Sequence, residues 1–254
     1  MLLSLVALFA FATMAMAADP GNVIAPSASS IVSDQQAGSI LIYNVYISGA
    51  TNPGAENTRI NITNTSAGTA YVHFFFVDGS NCSVADSFLC LTGNQTMSFN
   101  MSDTDPGVMG YIVAVATDKA GRPINFNFLI GDEYVKFTDG FAANLGAEAI
   151  VAIAAPLAAP ADVTATLMFN GVNYGLVPRV VALDHVMSRG DGNRTLLILN
   201  RIAGNLLTGA NTIGSIFGIL YDAIEAPYSF TGSGGCQLKV ELGIGNGFPR
   251  TTPR

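Results

Sequence analysis

Residues 58–78, TRINITNTSAGTAYVHFFFVD, decide how this chain folds. Ile60 and Ile62 alternate with Arg59, Asn61 and Thr63, and a period of two marks a strand with one buried face. Residues 64–68 carry turn chemistry. From Tyr71 to Val77 aromatic and β-branched residues run almost unbroken, which predicts a central strand buried on both faces.

Working outward, residues 39–47 read as the preceding strand. Residues 88–91 and 95–101 read as two short strands about a Thr92-Gly93-Asn94 turn. Residues 111–117 form a second buried strand, a tight turn follows at 118–121, and residues 124–130 are its hairpin partner. Roughly seven or eight short strands, with turns about every 8 to 12 residues, fit an immunoglobulin-like antiparallel sandwich over 38–140. Residues 18–37 are rich in Pro, Ser, Ala and Gln and read as a linker. Residues 141–162 are Ala-rich and close with Pro156 and Pro160. They are expected to be a short helical or irregular connection, with Asp139 as a helix cap.

Beyond it the opening pattern returns. Residues 57–64 align without gaps with 193–200, and 72–78 with 216–222. Ile60 and Ile62 map to Leu196 and Ile198, an inward face. Asn61 and Thr63 map to Leu197 and Leu199, so the outer face of the second copy is apolar and should be covered. The fold class is therefore all-β, two tandem immunoglobulin-like sandwiches. The second (163–254) is incomplete, since few residues follow its second strand. Either the polypeptide continues past Arg254 or another chain donates strands.

The first 17 residues, MLLSLVALFAFATMAMA, are apolar, uncharged and end in Ala15-Met16-Ala17, as a cleaved signal peptide does. They fall short of the ~20 residues that span a bilayer. The expected location is extracellular, periplasmic or on the cell surface, with membrane contact only through that segment if uncleaved. The net charge of −7 excludes nucleic acid as a natural partner. In an oxidising compartment Cys82 and Cys90, eight apart in what reads as a loop, are expected to form a local disulfide, with Cys236 left over.

Chemistry-bearing patterns are sparse. No Gly-x-Ser-x-Gly elbow or phosphate-binding Gly-x-x-x-x-Gly-Lys occurs. The run DTDPG at 103–107 begins like a calcium loop but has Ala114 where a bidentate Glu belongs, so a turn is expected. No metal or cofactor is called for. His73 lies in the buried run and is expected to be packed or hydrogen-bonded. His185 follows Asp184 near a strand end. Asp132 and Glu133, with Asp139, are candidates for a carboxylate or cation site at the domain junction. The candidate binding residues are therefore Asp132, Glu133, His185, Leu197 and Leu199. The partner expected is protein or carbohydrate at the cell surface.

At NTRINITNT (57–65), VHFFFVDGSNCSVAD (72–86) and INFNFLIGDEYVK (124–136) the chain resembles a group of exported bacterial proteins of unassigned function with tandem immunoglobulin-like domains. The resemblance covers most of the chain after the leader, brings no catalytic residues with it, and implies that such proteins continue past the equivalent of Arg254. The function expected is a non-enzymatic secreted or cell-surface binding or structural protein. The rival is a secreted carbohydrate-active or other hydrolytic enzyme using Asp132, Glu133 or His185.

Overall fold

The computed structural model describes residues 32–154, 166–177, 180, 181, 186, 193–202, 204–206, 210–221 and 225–242. The elements run β1 (Val32–Ser33), β2 (Ile40–Ile47), β3 (Asn57–Asn64), β4 (Ala70–Asp78), β5 (Val84–Leu91), β6 (Thr96–Asn100), a single helical turn α1 (Met101–Thr104), β7 (Met109–Thr117), β8 (Leu129–Lys136), β9 (Ala142–Gly146) and β10 (Glu148–Ile150). They continue with β11 (Thr166–Leu167), β12 (Leu196–Asn200), β13 (Gly204–Asn205), β14 (Gly214–Tyr221), β15 (Pro227–Gly234) and β16 (Gln237–Glu241). Every ladder between these strands is antiparallel.

Two sheets form a sandwich. One has the order β1-β10-β2-β7-β4-β5 and the other β6-β3-β8-β9. Ile60 and Ile62 of β3 point inward and meet Val72, Phe74 and Phe76 of β4, with Leu41, Tyr43, Leu91 and Ile112 around them. Each such side chain, fully buried, contributes roughly 1.5–3 kcal/mol. The strands β3 and β4 are not a hairpin, because each belongs to a different sheet. The chain turns the corner between them at Asn64, whose buried amide donates to the carbonyls of Gly68 and Thr92 while its Oδ1 accepts from the Ser66 N–H. A second corner, from β5 to β6, stacks on the first so closely that a Cβ on Gly93 would strike the carbonyl of Ala67. The expected hairpin at 92–94 is therefore also a crossing between sheets.

The other face of the six-stranded sheet is buried too. Ile40, Ile42, Phe75, Val77, Tyr111, Val113 and Val115 pack against Leu167, Tyr174, Leu206 and Cys236 from the C-terminal part of the chain. Thus β4 is apolar on both faces because it lies in the middle of three layers.

Several expectations are corrected. Cys82 is bonded to Cys236, not to Cys90, which is a free exposed thiol. The residues between Cys82 and Cys90 form the extended strand β5. At ~3.3 Å per residue this carries the two cysteines well beyond the ~7 Å Cα separation that a disulfide tolerates. Residues 142–150 are strands, not a helix. Ala143 lies opposite Val135 and Ala149 opposite Leu41, and ladder pairing overrides the helix preference of alanine. Val32–Ser33, within the expected linker, pairs with β10. The partners of β8 are β3 and β9, not β7, which the chain after the 118–121 turn meets only at Pro123 and Ile124. Among the described residues the C-terminal ladders are β11-β13, β12-β16 and β14-β15, each two-stranded.

Candidate functional site

A β-bulge in β2 is one of the points at which the sandwich and the C-terminal part meet. Tyr43 lies opposite Ile112 and Tyr46 opposite Gly110, so Asn44 and Val45 together oppose Tyr111. A bulge leaves backbone groups without ladder partners. On the sandwich side the Val45 N–H donates to Glu133 Oε1 at 3.2 Å. Glu133 is fully buried and its second oxygen has no partner. Burial pushes its carboxyl up to about 8, against the pull of the Val45 and Asn44 N–H groups and with a smaller push from Asp132.

On the opposite side the Asn44 carbonyl accepts from Asn200 Nδ2 at 2.8 Å and Gln237 Nε2 at 3.0 Å. Gln237 Nε2 also donates to the Gly110 carbonyl at 3.0 Å and to Asn200 Oδ1 at 2.9 Å. Next to the disulfide, the N–H groups of Cys236 and Gln237 both donate to the carbonyl of Gly79.

A cleft of about 360 Å³ runs along this junction between Asp78, Ser80 and Met109 on one side and Gln237 and Lys239 on the other. Several of its polar groups have partners within the chain. Asp78 Oδ1 accepts from the N–H and hydroxyl of Ser80 at 2.7 and 2.6 Å. The Lys239 ammonium lies 5.0 Å from the Phe137 ring centre, and desolvation lowers its pKa. Gln237 Oε1 has no partner but is closed off from solvent, so a molecule in the cleft does not reach it.

The residues singled out from sequence fall in different places. Asp132 and Glu133 are neighbours on one strand and so point to opposite faces. Glu133 faces inward, whereas Asp132 accepts from Asn61 Nδ2 at 2.7 Å, and they form no carboxylate pair. Asp139 is ion-paired with Arg194, which also binds Glu241. Asp105 accepts the Tyr46 hydroxyl at 2.5 Å, and among the described residues no group of three or more His, Cys, Asp and Glu gathers for a metal. His185 lies outside the described residues. Leu197 and Leu199 are half-buried and share one face of the β12-β16 ribbon with Val240 and Leu238.

His73 is buried between Phe75 and Phe88, with ring centres 4.0 and 3.9 Å away, and its Nε2 is 2.9 Å from Asp86 Oδ2. Desolvation lowers its pKa in spite of the carboxylate.

Among the described residues, β14 presents an open apolar surface. Phe217, Ile219 and Tyr221 share one face of the β14-β15 ribbon and are 68, 50 and 63% exposed. The sequence did carry a signal. GSIFGILY is apolar on both faces, and its alignment with the doubly buried β4 reads as a strand written for burial.

Among the described residues no helix is long and apolar enough to cross a membrane. No family model matches this chain, and no curated protein matches it. A solved structure, the crystal structure of Thermotoga maritima 1070, matches 44% of this chain and 93% of its own length at 8% identity. Its TM-score of 0.34 is too low for the likeness to identify a fold or a function.

Proposed function

We propose that this chain is a non-enzymatic exported protein, a binding or structural β-sandwich module of the cell surface or extracellular space. We take its two large sheets as the first immunoglobulin-like unit of a tandem pair, within the group of exported bacterial proteins that its sequence resembles. One observation carries the reading: among the described residues, the buried or clustered carboxylates and the histidine that could do chemistry hold the fold. Glu133 braces a bulge, His73 lies under Phe88, Asp132 holds Asn61 and Asp78 closes its own turn. An enzyme needs several such groups converging in one pocket. The apolar first 17 residues and the disulfide support export, and the net charge of −7 argues for a protein or carbohydrate partner over a nucleic acid. The hydrolase reading retains one observation in its favour, the raised carboxyl of Glu133.

The test is to fractionate cells making the full chain and to assay the purified protein on chromogenic glycosides, esters and peptides. The expected result is a chain outside the cytoplasm, bridged Cys82 to Cys236, with no turnover. Turnover that disappears in Glu133→Gln would establish the hydrolase instead.

A further inference from the structure

We infer that β14 is a self-association edge, which pairs antiparallel with β14 of a second copy about a two-fold axis at Gly218. β14 hydrogen-bonds to β15 on one side, and among the described residues its other edge pairs with no strand. Open edges are normally blunted by charge, proline, a bulge or shortness. β14 has none of these: eight residues, GSIFGILY, with no charged side chain, no proline and a one-for-one register from Gly214 opposite Gly234 to Tyr221 opposite Pro227. Of the other outer strands, β5 carries Asp86, β15 opens with Pro227, and β6, β9, β12 and β16 are five residues long.

The occupant follows from the strand's own order. An antiparallel two-fold pair must centre on a residue, because opposed side chains share a face. Centred on Gly218, Phe217 meets Ile219 of the second copy, Ile216 meets Leu220, and glycine meets glycine on the axis. Centred on Phe217, Ile219 would meet Ser215 and Leu220 would meet Gly214. The first register sets apolar against apolar throughout its middle, as cross-strand pairs require. Charge points the same way. Two copies each of net charge −7 repel, and β14 and β15 contain no charged residue at all, so contact there is the least opposed. The pairing is a β-augmentation. An edge contact this short falls below the roughly 1,000 Å² of a durable interface, so the dimer is concentration-dependent. The inference goes beyond the non-enzymatic reading and does not rest on it.

Sedimentation velocity over a concentration series tests it, with two charge variants: Phe217→Lys with Ile219→Lys, and Phe217→Glu with Ile219→Glu. All four substitutions fall on exposed side chains, and the Cys82–Cys236 bridge and far-UV spectrum check the fold. The wild-type chain is expected to shift from one to two chain masses as concentration rises. Each variant alone loses the dimer, and an equimolar mixture regains it, because the ammonium groups introduced on one chain then face the carboxylates introduced on the other. A wild-type chain that stays at one mass throughout overturns the proposal, whatever the turnover assays give. Dimers that survive in both variants, or folded variants that fail to pair when mixed, overturn it as well.

Discussion

The Val45 N–H donates to the Glu133 carboxylate at 3.2 Å, although the two residues belong to different sheets. That bond braces the bulge from within the sandwich, while Asn200 and Gln237 brace it from the C-terminal side through the Asn44 carbonyl. A kink of one extra residue is thereby shared by both halves of the chain.

Glu133 makes stability depend on pH. Its carboxyl ionises near 4.5 when unfolded and near 8 when folded. Between those values the unfolded chain has released the proton and the folded chain has not. Stability is therefore greatest below about pH 4.5 and falls as pH rises to 8, by up to ~1.4 kcal/mol per pH unit. Glu148, also raised by burial, acts in the same sense. His73, whose pKa is lowered, acts oppositely by costing stability as pH falls below its unfolded value of 6.5. In the interval from about pH 7 to 8 the cost from His73 has ended while that from Glu133 continues. Urea midpoints should fall across it, and Glu133→Gln, which keeps an acceptor for Val45, should flatten the slope.

Peptide mapping without reduction should yield a Cys82–Cys236 linked pair and an alkylated Cys90. Cys236→Ser removes a bridge spanning 154 residues and should cost roughly 2–4 kcal/mol. Cys90→Ser should leave the urea midpoint unchanged. Recovery of a Cys82–Cys90 peptide would refute the assignment.

Gln237→Leu should cost roughly 2 kcal/mol or more, because the carbonyls of Asn44 and Gly110 lose a buried donor. Local loosening has its own readout. The amides of Cys236 and Gln237, both bonded to the Gly79 carbonyl, should exchange with deuterium faster than those of β3.

Phe88 is 56% exposed and stacks on His73. Phe88→Ala lets water reach the imidazole and removes part of the desolvation that lowers its pKa, leaving the Asp86 carboxylate to raise it. The His73 pKa, followed by NMR titration, should therefore rise. An unchanged value would place the burial elsewhere.

What the sequence conveyed was local. The alternation at Ile60 and Ile62 and the double burial from Tyr71 to Val77 are present as read. Which strand pairs with which was hidden, because Asn64 and Gly93 look like hairpin turns yet serve as corners between sheets. The separation of Asp132 from Glu133 was missed, because the strand was read as ending at residue 130 and it continues to Lys136, where adjacent residues face apart. The cysteine pairing was not legible, because eight positions mean a short loop or a long strand according to what lies between. The Ala-rich stretch failed for a related reason. Its small side chains suit a helix and also a crowded ladder beside β2 and β8, and only the neighbours decide.

The third layer imposes an order on biosynthesis. The face of Phe75 and Val77 is complete when β7 emerges, but Leu206 and Cys236, which cover it, come far later. Cys236 lies 119 residues past Thr117, the end of β7, so a ribosome adding ~5–20 residues per second leaves part of that surface bare for roughly 6 to 24 seconds. Until those residues arrive the bare face is open to aggregation, a hazard that a chaperone or transfer across a membrane before folding would relieve.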